Sequence, residues 1–357
     1  MRFALASMSE RFKNVFFYMP QSYIGSLPVN TLMLANSVKT RLNKKLKLNL
    51  KVFQINENSL WLPEVRRIDP DIIISQGYYP RNAGSIPVLW ETYLVDPENS
   101  GPVSAKRIAN YERRKRQIEK YGKQAAGIAL RGEYSVNLAR RIFPEYSDKI
   151  YNLPFYLPDL EPLDEDSVRQ KHFTRDRLEM LFVGGQAILK GLPVLIEAVR
   201  KVEKIYHDAV HLHVVSKFQD GAVKIPCADW ITHYGEMTYR ETQKFFQMAH
   251  VYVMPSKVES FGLAYIEGLA NGCVVFARDY EPQREFVDYG RAGVLNNPES
   301  SDDIAAKIIG LIDNRTKCIE LALKGLCDFR SKWHWSVVGR MWVEAMSKCI
   351  KYRRENI

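Results

Sequence analysis

The sequence predicts an α/β protein with two parallel-sheet domains, and three observations support this prediction. The chain has 357 residues, which suits two domains of roughly 150–200 residues each. Short apolar, β-branched runs alternate with segments of helical length along the chain, as is typical of parallel sheets covered by helices. A proline-rich stretch, residues 152–176, interrupts this alternation near the middle of the chain.

Composition and cysteine usage exclude several classes of protein. With 46% hydrophobic and 26% charged residues, the composition is that of an ordinary globular protein and not of a disordered or collagen-like one. No apolar run approaches the roughly 20 residues of a spanning helix, and the first residues lack the pattern of a signal peptide. The five cysteines form no Cys-x-x-Cys pair, which indicates reduced thiols and a cytoplasmic location.

The first half, residues 1–151, is predicted to form one Rossmann-like domain. Its stretch LKLNLKVFQI alternates apolar and polar residues, as does a strand with one wetter face. Two further runs begin with proline, which the first residue of a strand tolerates. The predicted strands are residues 2–7 or 15–19, 50–55, 72–75, 86–90 and 127–130.

Residues 152–176 are predicted to be the linker between the domains. Pro154, Pro158 and Pro162 recur every four residues, and neither a helix nor a central strand tolerates that spacing. Acidic residues cluster directly after them. The second domain is therefore expected to begin at residue 177.

The second domain, residues 177–333, repeats the pattern more clearly. Its strands are predicted at LEMLFV, HLHVVS, WITHYG, VYVMPS, CVVFAR and GVLNN, and its helices at KGLPVLIEAVRKVEKIY, TYRETQKFFQMA, GLAYIEGLAN and SSDDIAAKIIGLIDN. Ligands of open parallel sheets bind outside the carboxyl ends of the strands. We therefore expect the functional residues to lie in the loops that follow strands and to line a cleft between the two domains.

The segment VYVMPSKVESFGLAYIEGLANG carries the clearest chemistry. A buried strand ends at Pro255, a short loop carries Glu259, and a helix begins near Gly262. Free N–H groups at a helix start favour an anion such as phosphate. A carboxylate one turn further in, Glu267, can accept two hydrogen bonds from a vicinal diol. A phosphate site beside a diol acceptor is what a nucleotide requires.

This segment resembles the signature of the retaining GT-B glycosyltransferases of family 4. Two glutamates eight positions apart follow Pro-Ser and surround Phe-Gly-Leu, and LFVGGQAILKGLPVLIEAV upstream resembles the family's strand, glycine and Lys-Gly helix start. The resemblance covers residues 178–315 well and the first half in outline. It implies two Rossmann-like domains that face each other across a cleft, with a C-terminal helix, residues 334–357, that returns to the first domain.

The resemblance also implies roles for individual residues. Glu267 would bind the ribose hydroxyls, Glu259 would contact the donor sugar and Lys190 would bind the diphosphate, with Glu259 and Lys190 as the catalytic pair. Further donor-binding residues are Ser260, Phe261, Gly262, Leu263, Gly184, Gly185 and Met237. Neither a metal nor another cofactor is expected, and the nucleotide-diphosphate sugar is the substrate.

Three positions depart from the family pattern. Gly185 stands where the family usually has a second phosphate-binding arginine. Tyr93, with Glu91 beside it, stands near the position of a first-domain histidine. Gly25 is the nearest candidate for a first-domain glycine pair. Glu91, Tyr93 and Gly25 are therefore candidates on the acceptor side.

The net charge of +10 is concentrated in the first half, in residues 39–51 and 106–123. Three interpretations stay open: a solvated helix face, attraction to anionic lipid headgroups, and nucleic-acid binding, which lacks an accompanying recognition element. His211 and His213 alternate onto one face of a strand, but no third ligand lies at a suitable spacing for zinc.

The sequence thus favours a metal-independent retaining glycosyltransferase that uses a glycan, lipid-linked or other acceptor. We expect it to be cytoplasmic, or peripheral on the cytosolic face of a membrane, and not to bind nucleic acid. Two alternatives remain: a nucleotide-sugar epimerase of the same fold, and a non-catalytic protein that binds nucleotide sugars or membranes.

Overall fold

A computed structural model describes most of the chain. The described residues are 15–20, 53–55, 72–77, 79–80, 83–98, 103–155, 157, 160–173, 176–217, 223–259 and 261–355. Contacts divide the chain into two compact units. Unit 1 is drawn from Met1–Val95, Ala105–Pro158 and Trp335–Ile357, and unit 2 from Asp96–Ser104 and Asp159–His334.

Unit 1 contains a six-stranded parallel sheet in the order β2-β1-β3-β4-β5-β6. The strands are β1 Val15–Pro20, β2 Phe53–Ile55, β3 Ile72–Gln76, β4 Val88–Glu91, β5 Gly127–Leu130 and β6 Ile150–Asn152. Five of the six follow predicted runs, whereas β6 was not predicted. The alternative first strand, residues 2–7, lies outside the described residues.

Helices cover both faces of this sheet, which explains why its central strands are largely apolar. The helices are α1 Ala105–Tyr121, α2 Glu133–Ile142 and α9 Trp335–Glu355. Ile73 of β3 joins the cluster that includes Ile118 of α1, whereas Ile72 and Ile74 join the cluster that includes Met346 of α9. The prediction that the C-terminal helix packs on the first sheet is confirmed.

Unit 2 contains a second parallel sheet, with the order β12-β11-β10-β7-β8-β9. The strands are β7 Leu178–Val183, β8 Val210–Val215, β9 Ile231–Gly235, β10 Val251–Val253, β11 Val274–Arg278 and β12 Val294–Asn296. Counted from β7, this is the order 3-2-1-4-5-6 of dinucleotide-binding folds. Successive strands are added on one side of β7 up to β9 and on its other side from β10 onward. The loops after the adjacent strands β7 and β10 are therefore neighbours.

The helices of unit 2 follow the sequence prediction with one correction. They are α3 Glu165–Phe173, α4 Leu192–Ile205, α5 Tyr239–Met248, α6 Leu263–Ala270, α7 Ser301–Asp313 and α8 Arg315–Asp328. Helix α3 lies inside the stretch where the proline spacing predicted no helix. That prediction was wrong because all three prolines precede α3, which begins with Glu165 and Asp166 at its favourable N-terminus.

All five cysteines are free, and Cys273, Cys318 and Cys349 are buried. Within the described residues, no helix has the length and apolar character that a membrane span requires.

Candidate active site

The loop after β7 places Lys190 at the carboxyl edge of the second sheet. Gly184 and Gly185 follow the strand directly, and the Lys190 amide donates a 3.0 Å hydrogen bond to the carbonyl of Gln186. Gly191 then adopts φ +81°, and a Cβ there would lie 2.2 Å from the carbonyl oxygen of Pro255. Only glycine fits this close approach of two loops, and it fixes the position of Lys190 immediately before α4.

The loop after β10 is tied to the first loop through its backbone. The amide of Lys257 donates a 2.9 Å hydrogen bond to the carbonyl of Leu189. The buried guanidinium of Arg278, at the end of β11, donates to the carbonyl of Lys257. These bonds hold the segment that carries Glu259 between its neighbours on both sides.

As a consequence, Lys190 and Glu259 form an ion pair. Their Nζ and Oε2 atoms are 2.5 Å apart, and the side chains keep 20% and 11% of their surface exposed. A pair that is shielded to this extent interacts more strongly than one at the open surface. The structure therefore brings together the two residues that the sequence singled out as catalytic.

Helix α6 begins beside this pair. Gly262 is its N-cap residue, and a Cβ at Gly262 would lie 2.2 Å from the ring of Tyr265. The Tyr265 hydroxyl donates to the carbonyl of Met254, 2.9 Å away. The side chain of Phe261 packs against Phe286.

The remaining donor-side candidates are Leu263, Ser260 and Met237. Leu263 is the first residue of α6 and is partly exposed, and Ser260 lies outside the described residues. Met237 is half-buried in the loop after β9, which β8 separates from β7.

Glu267, in the second turn of α6, is buried, with 9% of its surface exposed. Its Oε1 atom accepts a 2.6 Å hydrogen bond from Nε2 of Gln243 on α5. Burial raises the pKa of Glu267 to about 8, although the hydrogen bond from Gln243 lowers it. A carboxylate held in this way is poised to change its charge near neutral pH.

The acceptor-side candidates of unit 1 are engaged with arginines. Glu91, at the end of β4, forms an ion pair with Arg131, which follows β5. The guanidinium of Arg114 lies 4.4 Å from the ring centroid of Tyr93. Gly25 lies outside the described residues.

His211 and His213 form hydrogen bonds within the sheet. His211 contacts the hydroxyl of Thr232 at 3.0 Å, and His213 contacts Tyr234 at 2.9 Å and Glu179 at 2.7 Å. In the part of the chain that the structure describes, no three His, Cys, Asp or Glu side chains are grouped to hold a metal ion.

Sequence reasoning missed Gln243 and Arg278. The only signal for Arg278 is a charged residue that ends an apolar strand, in CVVFAR. Gln243 has no signal, because it is one of several polar residues in TYRETQKFFQMA.

Comparison with known proteins finds a family model that is similar to unit 2. Residues 164–324 match the family model of the glycosyl transferases group 1. This match includes Lys190, Glu259 and Glu267 and covers less than half of the chain.

The similar curated proteins are matched over less than half of their length. One is an uncharacterized glycosyltransferase, MJ1178, of Methanocaldococcus jannaschii, 28% identical over 43% of this chain and 44% of the relative. Another is the phosphatidyl-myo-inositol mannosyltransferase of Mycolicibacterium smegmatis, 27% identical over 40% of this chain and 38% of the relative.

Solved structures resemble nearly the whole chain and thereby confirm the fold. A glycosyltransferase from Rickettsia africae has a TM-score of 0.68 at 12% identity and covers 95% of this chain and 99% of its own. Anabaena Alr3699/HepE, in complex with UDP and glucose, has a TM-score of 0.65 at 15% identity and covers 94% and 99%. The two Rossmann-like parallel-sheet domains have the GT-B fold.

Proposed function

We propose that the protein is a retaining, family 4 glycosyltransferase that moves a sugar from a nucleotide-diphosphate sugar to a glycan or lipid-linked acceptor. The observation that carries this proposal is the Lys190–Glu259 pair, 2.5 Å between Nζ and Oε2, beside the start of helix α6. Opposite charges and free backbone N–H groups meet there at the edge of the sheet where ligands of this fold bind.

The pair suits the charges that develop during transfer. The bond between the anomeric carbon and the diphosphate oxygen breaks while the acceptor oxygen bonds to the same face of the sugar. The acceptor proton passes to the departing phosphate. Lys190 and the N–H groups of α6 would stabilise the departing diphosphate, and Glu259 would face the positive charge on the sugar.

Relatives indicate which donors to test first. The Anabaena protein is described with UDP and glucose, and a relative from Mycobacterium tuberculosis, 24% identical over 31% of this chain, is named as GDP-mannose-dependent. We therefore expect a UDP- or GDP-sugar. We also propose that turnover needs no divalent cation, because the Lys190 ammonium supplies a positive charge at the diphosphate.

The first experiment is a thermal-shift panel with UDP, GDP, ADP, CDP and TDP, with and without magnesium. A ligand at 100 times its dissociation constant adds about 2.7 kcal/mol of stability, which shifts the midpoint by several degrees. A shift with one diphosphate in the presence of EDTA supports the donor site. The absence of any shift would contradict it.

Transfer is then assayed with the matching donor, and the anomeric configuration of the product is read from its proton NMR coupling. An inverted product would refute the retaining assignment. Conversion of the donor without an acceptor would indicate an epimerase instead. Lys190→Met tests the site, and Lys204→Met, exposed on the helix α4 that follows Lys190, is the matched control.

We propose further that α1 attracts the protein to an anionic membrane surface on the cytosolic side. Lys106, Arg116 and Lys120 of this helix, and Lys123 directly after it, are exposed. Clustered basic residues near such a surface contribute about 1 kcal/mol each. The second basic segment, residues 39–51, lies outside the described residues.

Vesicle co-sedimentation tests this surface. Arg116→Glu with Lys120→Glu should abolish binding to phosphatidylserine vesicles, whereas Lys204→Glu with Lys244→Glu, exposed in unit 2, should leave it unchanged. Equal loss in both double variants would mean that only net charge matters.

A further inference from the structure

A chain of side-chain amides leads from the core of unit 2 to the carboxylate of Glu267. Nδ2 of Asn271 donates to Oε1 of Gln243 at 3.2 Å, and Nε2 of Gln243 donates to Oε1 of Glu267 at 2.6 Å. Asn271 is buried, and its Nδ2 also donates to the backbone carbonyl of Glu267 at 2.8 Å. The three side chains therefore form one connected network.

The direction of these hydrogen bonds follows from the position of Asn271. The backbone carbonyl of Glu267 can only accept, so the Asn271 atom that faces it is Nδ2. The Gln243 atom that faces Nδ2 must then be its oxygen. The amide nitrogen of Gln243 is then left facing Glu267. Gln243 thus presents a donor to the carboxylate at every pH, which favours the ionised form.

The far end of the network is anchored in the core. The buried ammonium of Lys171, on α3, donates to the carbonyls of Asn271 at 2.7 Å and Ala249 at 2.8 Å. Asn271 is the C-cap of α6, where a positive charge is favourable. Helix α3 and the end of α6 are therefore held together behind the carboxylate.

The second carboxylate oxygen of Glu267 is the one available to a ligand. Within the part of the chain that the structure describes, the side-chain hydrogen bond to this carboxylate is the one from Gln243 to Oε1, and the side chain retains 9% exposure. With Oε1 occupied by Gln243, a diol would be accepted through Oε2.

We propose that Gln243 is a positioning residue for nucleotide binding, which it serves by fixing the Glu267 carboxylate so that Oε2 accepts the ribose hydroxyls. This inference rests on the proposed function, in which Glu267 binds the ribose. It predicts that Gln243 affects discrimination of the sugar ring and not recognition of the base or phosphates.

Glu267 is a titratable group of α6 whose raised pKa lies near neutral pH. Tyr252 on β10 and Cys273 before β11 are its buried neighbours, and burial raises the pKa of both. Lys171 on α3, whose pKa burial lowers, and Cys318 on α8 lie behind them. Loss of the Gln243 donor should move the pH midpoint of nucleotide binding upward.

The test compares Gln243→Met with Gln247→Met, an exposed glutamine on the same helix. Affinities for UDP and GDP, and for their 2′,3′-dideoxy forms, are measured by calorimetry between pH 6 and 9. Gln243→Met should lose about tenfold or more in affinity for the ribose form, as expected for a hydrogen bond to a charged group. The dideoxy form should be unaffected, and Gln247→Met should match the wild type.

Asn271→Asp provides a second test that keeps the size of the side chain. An acceptor at this position reverses the Gln243 amide and turns its oxygen toward Glu267, so the same loss of ribose discrimination is expected. If wild type and Gln243→Met discriminate equally, with the same pH midpoint, the positioning role is refuted and the donor site stands. If wild type binds neither diphosphate, the proposed function itself fails.

Discussion

Replacing Glu267 by glutamine should stabilise the protein at neutral pH and remove its preference for ribose. The pKa of Glu267 is raised by burial to about 8, from an ordinary value of 4.5. The folded protein therefore holds this proton more tightly than the unfolded chain does. The stabilisation is complete below pH 4.5 and is lost as the pH rises toward 8.

The size of the stability difference follows from the pKa shift of Glu267. One proton changes the free energy of unfolding by about 1.4 kcal/mol per pH unit within this window. Between pH 5 and 7 the wild type should therefore lose about 2–3 kcal/mol relative to Glu267→Gln. Glutamine keeps the shape and can still accept the hydrogen bond from Gln243.

Urea unfolding at pH 5, 6, 7 and 8, followed by circular dichroism, measures this difference. The quantity compared is the difference in free energy of unfolding between wild type and Glu267→Gln, because the contributions of the other titrating groups cancel in it. The gap should widen with pH, while the variant loses affinity for the diphosphate that the wild type binds. Parallel pH dependences would refute the assignment of a buried, protonated carboxyl group.

Other substitutions test the loops around the site. Lys190→Met should lower kcat about 10²–10³-fold in the transfer assay, whereas Lys204→Met should not. Gly191→Ala should destabilise the protein by about 1–3 kcal/mol because residue 191 has a positive φ. Gly310 lies in a helix with open space where a Cβ would be added, so Gly310→Ala should stabilise the protein by up to about 1 kcal/mol. Thermal melting checks both. Gly185→Arg, also into open space, should tighten diphosphate binding about tenfold, and unchanged calorimetric affinity would contradict this.

The strands and helices could be predicted because their signals are local. LEMLFVGG combines an apolar run with a glycine turn, and the observed strand Leu178–Val183 ends at that turn. The three-residue strand Ile150–Asn152 was missed because the nearby prolines outweighed so short a run.

The contacts of the site could not be predicted in the same way. Lys190 and Glu259 are 69 residues apart, and they meet only because β10 pairs with β7 and not with β9. The partner of Glu91, Arg131, likewise depends on β5 lying beside β4. The resemblance to a family predicted which residues belong to the site, whereas the strand order determines which of these residues contact each other.

The sign of a pKa shift distinguishes a structural cluster from a ligand site in unit 2. Burial would raise the pKa of Glu179, but the hydrogen bonds from His213 and Arg177 lower it to about 2. The ionised carboxylate there is already satisfied by the protein and contributes to stability. Glu267 shows the opposite, a pKa raised to about 8 with one donor for two oxygens.

An unfavourable backbone conformation also marks the loop of the candidate ligand site. Gln186 has φ +54°, an unfavourable value for a residue with a Cβ, and it lies in the loop that carries Lys190. Local conflicts of this kind are expected where function, and not stability, selects the residue. Because the loop that carries Lys190 and the incompletely satisfied carboxylate follow adjacent strands of one sheet, we expect a single ligand with a diphosphate and a diol to contact both.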